Sequence, residues 1–139
     1  MSPVFVDSGA FAALADRNDR HHREARRLLR RLARERRTLV TSTDVVDELS
    51  TLVRMRVGHA AAVRIGERLM QTRWCRIVEI GEDTREAAWE LFVRYHDHVF
   101  SVTDCTSFAL MRAMGLQEVF TFDRDDFATA GFAGLPSGA

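Results

Sequence analysis

The chain contains no lysine; all twenty of its basic residues are arginine. A phosphate-binding loop built around a lysine is therefore excluded. Haloacid-dehalogenase phosphatases and receiver domains, which set a lysine beside their aspartate, are disfavoured for the same reason. Net charge is missing too, because twenty acidic residues balance the arginines, so no global field draws the protein to nucleic acid. Cysteine is scarce. Cys75 and Cys105 share no motif spacing and read as free buried thiols of a reducing compartment rather than a disulfide. No Cys–His set has zinc-site spacing. No apolar stretch is long enough to span a bilayer, and no basic segment leads into a long apolar run at the N-terminus. No membrane span or signal peptide is expected, and the expected location is the cytoplasm. Linkers, low-complexity tracts and internal repeats are also absent.

What is present fits one domain over residues 1–139, with 46% hydrophobic and 29% charged residues. That length allows a real core. Strand and helix patterns alternate. Residues 3–6 read as a short buried strand and 8–14 as a short helix. Asn18 or Asp19 is a candidate cap for a helix to about Arg36, with Ala25, Leu28, Leu29 and Leu32 spaced by threes and fours on its apolar face. Thr38 to Thr41 reads as a strand, and Ser42 or Thr43 caps a helix through Arg56 that stops at Gly58. Ala60 to Met70 is a further helix and Cys75 to Ile80 an alternating strand. Asp83 or Thr84 is expected to cap a helix to about Tyr95 with Ala87, Ala88, Leu91 and Phe92 inward. A helix from about Thr103 ends at Gly115, Glu118 to Phe122 is a strand, and the glycine-rich tail has room for one short edge strand. The alternation implies an α/β domain around a parallel sheet.

Four acids stand out against this pattern. Asp7 closes the apolar run Val4-Phe5-Val6, and Asp123 follows Val119-Phe120-Thr121-Phe122. Glu48 and Asp104 lie near helix starts. In a parallel sheet, strand ends and the helix starts behind them gather along one edge, so four separated carboxylates can meet. Each has an ordinary explanation by itself. Asp7 could cap the next helix. Glu48, with Asp44 and Asp47 nearby, could be a surface acid favoured by the helix dipole. Asp123, with Asp125 and Asp126 behind it, could belong to a solvated turn. Asp104 has the apolar neighbours Val102, Cys105, Phe108 and Ala109, and a partly buried acid needs a partner. Together, like charges at short range oppose ionisation and call for a divalent cation.

The stretches FVDSGAF at 5–11, TSTDVVDEL at 41–49, FSVTDCTSFALM at 100–111 and TFDRDDF at 121–127, followed by Gly131-Phe132, resemble the PIN-domain ribonucleases. In particular they resemble the toxin subunits of bacterial VapBC-type toxin–antitoxin pairs, over nearly the whole chain. The resemblance implies a three-layer α/β/α domain with a central, mainly parallel sheet of four or five strands. It maps the family's four acids onto Asp7, Glu48, Asp104 and Asp123, with a hydroxyl among them at Ser8 or Thr103. The fourth motif has one acid more than the shorter spacing common in these toxins, which makes Asp126 the alternative to Asp123. The resemblance further implies RNA as substrate, a homodimer whose acidic sites line a shared groove, and an antitoxin peptide occupying that groove.

The residue types suit this chemistry. Mg²⁺ and Mn²⁺ take carboxylate and water oxygens. Asp7 and Asp104 are the expected metal ligands, with Glu48 and Asp123 acting through water or as proton acceptors. Two alternatives of other classes compete. One is a phosphatase with Asp7 as nucleophile, although position 9 is glycine rather than a second aspartate. The other is a PIN-like binding module without catalysis. The helix carrying Arg23, Arg26, Arg27, Arg30, Arg31 and Arg34, with Arg36 and Arg37 after it, reads first as a solvated face and second as a phosphate-binding stripe. His96-Asp97-His98 reads as a solvated loop. Leu49, Leu52, Val53, Val57, Val63, Ile65 and Leu69 exceed what a small core needs, and some are expected at a subunit interface.

Overall fold

A computed structural model describes residues 2–138. The elements run β1 (Val4–Val6), α1 (Ser8–Ala15), α2 (His22–Arg34), β2 (Leu39–Ser42), α3 (Thr43–Arg56), α4 (His59–Gln71), β3 (Cys75–Val78), α5 (Glu82–Arg94), α6 (Val102–Met114), β4 (Glu118–Phe120), α7 (Arg124–Thr129) and β5 (Ala133–Leu135). Five strands form one parallel sheet in the order β3-β2-β1-β4-β5. Helices flank it, giving the three layers expected, because a parallel sheet needs both faces covered.

The sheet explains where a site can form. The chain moves outward from β1 through β2 to β3, then returns to lay β4 on the other side of β1. The order reverses between β1 and β4, and ligands of such sheets bind at the carboxyl ends of the strands at that reversal. β1 and β4 are well anchored there. Val4, Phe5, Val6, Val119 and Phe120 have no exposed surface. Burying each such side chain contributes roughly 1.5–3 kcal/mol, so the strand ends are held by the densest part of the core. Phe108, Phe127 and Phe132 extend that core beside β4 and β5. The Asp7 amide donates to the Phe120 carbonyl at 3.0 Å, carrying the β1–β4 pairing one residue past the strand.

Several boundaries differ from expectation. The helix after α1 starts at His22, and neither Asn18 nor Asp19 caps it. Asp19 instead accepts from the His21 amide with its side chain and from the His22 amide with its carbonyl, so 17–21 is a run of turns. α2 ends at Arg34 because Arg36 takes a left-handed conformation (φ 56°) and the Arg37 amide turns back to the Leu32 carbonyl. α5 begins behind Gly81 rather than Asp83 or Thr84. Ala88 and Leu91 face inward as expected, but Ala87 and Phe92 are exposed. β3 and β4 stop two residues early, at Val78 and Phe120. The short α7 was not foreseen, whereas β5 is the expected edge strand. Of the apolar residues assigned to an interface, Leu49, Val53 and Leu69 are core, while Val57 and Val63 are exposed beside Met55 and Met70. Both cysteines are free and buried, and burial pushes the thiols up to about 12 for Cys75 and about 11 for Cys105.

Candidate active site

Asp7 leaves the buried end of β1 and is the N-cap of α1. One carboxylate oxygen accepts the Ser8 amide at 2.9 Å and the other accepts the Thr121 hydroxyl at 3.0 Å. The residue is only 3% exposed. Burial raises its pKa to about 7; the charges of Asp104 and Asp123 add to the rise, and the Thr121 and Ser8 hydrogen bonds oppose it. Cap and site acid are thus one side chain, and the two readings of Asp7 are not alternatives.

Asp104 repeats the combination at α6. The Ser101 side chain accepts the Asp104 amide at 3.0 Å while Asp104 Oδ2 accepts the Ser101 amide at 2.9 Å, a reciprocal capping box. Asp104 is half-buried. Burial raises its pKa, the Ser101 hydrogen bonds oppose that, and the charges of Glu48 and Asp123 push it up further. Buried Cys105, Phe108 and Ala109 hold this turn down, whereas Val102 is exposed.

Glu48 comes from the second turn of α3, whose start is fixed by Ser42 accepting the Val45 amide. The Ser8 hydroxyl donates to Glu48 Oε2 at 2.6 Å. Between the two hydroxyl candidates, Ser8 is the one bonded to a site acid. Thr103 instead lines an open depression with Asp44, Asp47, Glu48, Thr51 and Arg85. Asp123 lies exposed at the start of α7, with its amide donating to the Thr121 hydroxyl oxygen at 2.9 Å. It borders a second depression with Phe122, Arg124, Asp125 and Asp126. Asp126 sits behind it. Burial raises the Asp126 pKa, with added repulsion from Asp123 and Asp125, whereas Asp123 is the acid whose charge reaches both Asp7 and Asp104.

The structure therefore brings Asp7, Glu48, Asp104 and Asp123 to one edge, near enough to repel, with Asp7 as the buried floor and open depressions on either side. It does not gather them tightly. Among the described residues, no three His, Cys, Asp or Glu side chains stand close enough to form a ready-made ligand set. Nor does any ion pair among those residues engage the four acids. The arginines nearby are occupied elsewhere, Arg85 with Asp44 and Arg124 with Glu24 and the Pro136 carbonyl. Like charges without a basic partner, all presenting oxygen, fit a hard divalent cation.

Thr121 is the residue that sequence reading missed. It is fully buried, donates to Asp7 and accepts from the Asp123 amide, and so ties two of the acids together. A hydroxyl within the apolar run just before Asp123 was the available signal, but a β-branched residue there reads equally well as ordinary strand. Thr41 does similar work one strand over, donating to the Val6 carbonyl at 2.8 Å.

Comparison with known proteins places the fold. The PIN domain family model matches residues 4–133. VapC20 of Mycobacterium tuberculosis, a 23S rRNA-specific endonuclease, is 39% identical over 129 residues, which cover 93% of this chain and 95% of that protein, in strains H37Rv and CDC 1551 / Oshkosh alike. The crystal structure of M. tuberculosis VapC20, described as a sarcin-ricin loop cleaving toxin, superposes with a TM-score of 0.84 at 36% identity, covering 94% of this chain and 96% of that one. The chain belongs to the PIN-domain family, among its VapC-type toxins.

Proposed function

We propose that this protein is a divalent-metal-dependent endoribonuclease, the toxin of a bacterial toxin–antitoxin pair, built as one PIN domain over residues 1–139. The observation that carries the reading is the meeting of Asp7, Glu48, Asp104 and Asp123 at the β1–β4 reversal without a basic partner, with Asp7 raised to about 7 by burial and by its acidic neighbours. Asp7 and Asp104 would hold the ion, Mg²⁺ or Mn²⁺, which would offset the charge of the scissile phosphate and lower the pKa of water at the site. Thr121 and the Ser8 amide orient buried Asp7, and the Ser8 hydroxyl orients Glu48. Glu48 and Asp123 complete the outer part through water or accept the proton released during hydrolysis. A phosphatase with Asp7 as nucleophile is not favoured: Asp7 is buried and engaged by the Ser8 amide and the Thr121 hydroxyl, and the relatives are nucleases. A binding module without catalysis leaves the uncompensated acids unexplained.

The relative's target makes ribosomal RNA the first substrate to test. The protein partner is a cognate antitoxin that sets a basic side chain, an arginine by preference, among the four acids, a charge-assisted pairing. Exposed Met55, Val57, Val63 and Met70 supply apolar surface for a homodimer. Among the described residues no helix is long and apolar enough to cross a membrane, and the proposed setting is the cytoplasm. The test is cleavage of ribosomal RNA by antitoxin-free protein. Cutting is expected with Mg²⁺ or Mn²⁺ and to stop in EDTA, and Asp7→Asn or Asp104→Asn should lose at least about 100-fold, the upper end of what loss of a group that merely orients a metal ligand costs. Cutting undiminished by excess EDTA would sink the metal mechanism.

A further inference from the structure

The geometry points to the arginine face of α2 as a second binding surface, one that holds the phosphate backbone of the RNA outside the acidic site. This inference rests on the nuclease reading for the identity of the occupant. α2 carries six arginines and one glutamate in thirteen residues. At 100° per residue, Arg23, Arg26, Arg27, Arg30 and Arg34 fall within a sector of about 100°, opposite the buried Ala25, Leu28 and Leu32. All five are exposed. Among the described residues none of the five has an acidic partner; on this helix only Arg31 does, with Glu35. Arg37, Arg56 and Arg85 are paired with Glu118, Asp19 and Asp44. Other exposed arginines such as Arg73, Arg76 and Arg94 are unpaired too among the described residues, but what sets α2 apart is five of them aligned on one face.

Stability does not account for this stripe. Arg23 and Arg27, Arg26 and Arg30, and Arg30 and Arg34 are like charges four residues apart, which repel. Arg23 also lies in the first turn, where the helix dipole favours anions. The helix is held by its buried face in spite of its exposed one. A run of guanidinium forks without carboxylates is complementary to a row of phosphates. Its placement matches the site as well. His21, just before α2, stacks on Phe122 at 4.2 Å, and Glu24 pairs with Arg124 at 3.9 Å, so the helix starts beside Asp123. From there the stripe extends for about 17 Å at the rise of an α-helix. RNA seated with its scissile phosphate at the acids would lay its flanking phosphates along it.

The experiment measures binding of a labelled thirty-nucleotide ribosomal RNA stem-loop by the full chain in EDTA, over a range of salt, for wild type, Arg26→Gln/Arg27→Gln/Arg30→Gln, and Arg73→Gln/Arg76→Gln/Arg94→Gln as an exposed control elsewhere. Thermal melting checks that each variant is folded, and glutamine retains good helix propensity. The α2 variant should bind roughly 10-fold or more weakly at low salt, and its slope of log affinity against log salt should be shallower by about two to three. The control should follow wild type. An α2 variant with the wild-type slope would overturn the inference. So would a poly-glutamate peptide that binds through these arginines more tightly than the RNA, since the occupant would then be an acidic protein. Cleavage in Mn²⁺ is read separately: RNA held through α2 but never cut counts against the nuclease and leaves this surface standing, while normal cutting with an unchanged salt slope does the reverse.

Discussion

Asp7 and Asp104 are the same residue type in nearly the same local role, yet the protein treats them differently. Each stands at a helix N-terminus, accepts a backbone amide there and faces other acids. Asp7 is sealed beneath β1 and β4, and its pKa rises to about 7 even though it accepts two hydrogen bonds. Asp104 is half-buried and locked in a reciprocal cap, and its rise is opposed by both Ser101 hydrogen bonds. Burial is the leading cause in both, so depth in the sheet decides how strongly each acid resists ionisation. Asp7 is held in a place unfavourable to its own charge. Asp104 stabilises its helix whether or not a metal binds.

The largest expected effect separates the two by pH. Metal-free native protein holds a proton on Asp7 up to about 7, whereas the unfolded chain releases it near the ordinary 3.8. Between these values the native state binds more protons than the unfolded state, so this group's contribution to stability falls as pH rises. The full loss, reached above pH 7, is roughly 4 kcal/mol at 1.36 kcal/mol per unit. Asp7→Asn removes it. In EDTA at pH 8 the variant should melt well above wild type, and the gap should close as pH falls toward 4. Mn²⁺ should reverse the order, because an ion held at the proposed site at a hundred times its dissociation constant would add about 2.7 kcal/mol to wild type and little to the variant. Thermal melts at several pH values, with EDTA and with Mn²⁺, check this. A variant melting below wild type in EDTA at pH 8 would make Asp7 a structural anchor before anything else.

A smaller effect tests what makes the Asp7 charge tolerable at all. Thr121→Val keeps the shape but removes the hydroxyl that donates to Asp7 and accepts the Asp123 amide. The Asp7 pKa should rise further, and the protein should lose about 1–3 kcal/mol at pH 8, the range for unsatisfied buried groups. The loss should shrink at pH 5, where Asp7 is protonated. Thr121→Ser should stay near wild type. Urea unfolding of the three proteins at both pH values measures it, and equal losses at both would remove Thr121 from the electrostatics of the site.

This comparison also shows what the chain made legible. Asp7 and Asp123 were visible because each ends an apolar run, and parallel strands deliver their ends to one edge. Glu48 and Asp104 were visible from helix starts, and the fold followed from alternating patterns. Four things were hidden. Thr121 was hidden because a buried threonine in a strand looks like packing. The starts of α2 and α5 were misplaced because Asn18, Asp19, Asp83 and Thr84 are good caps by composition, while the chain turns at His21 and Gly81 without a side-chain cap. The short α7 was hidden because three acids in TFDRDDF read as a turn. How widely the acids stand apart is a tertiary fact that no local pattern carries.

The smallest effects lie on the Asp104 side. Asp104→Asn keeps an oxygen for the Ser101 amide and removes repulsion with Glu48 and Asp123, while giving up a charge that the helix dipole favours by about 0.3–1 kcal/mol. Its metal-free stability should therefore stay close to wild type. Asp104→Ala removes the acceptor itself and should cost about 1 kcal/mol. Ser101→Ala removes the other half of the box and should cost a similar amount, and it also removes one of the hydrogen bonds that oppose the rise in the Asp104 pKa. Because the box is reciprocal, the double alanine variant should lose less than the sum of the two single losses, the non-additivity of residues in contact. Denaturant unfolding in EDTA at pH 7 resolves these differences. If Ser101→Ala were silent and Asp104→Ala stabilising, the Asp104 carboxylate would be a strained acid like Asp7, and the contrast between the two positions would disappear.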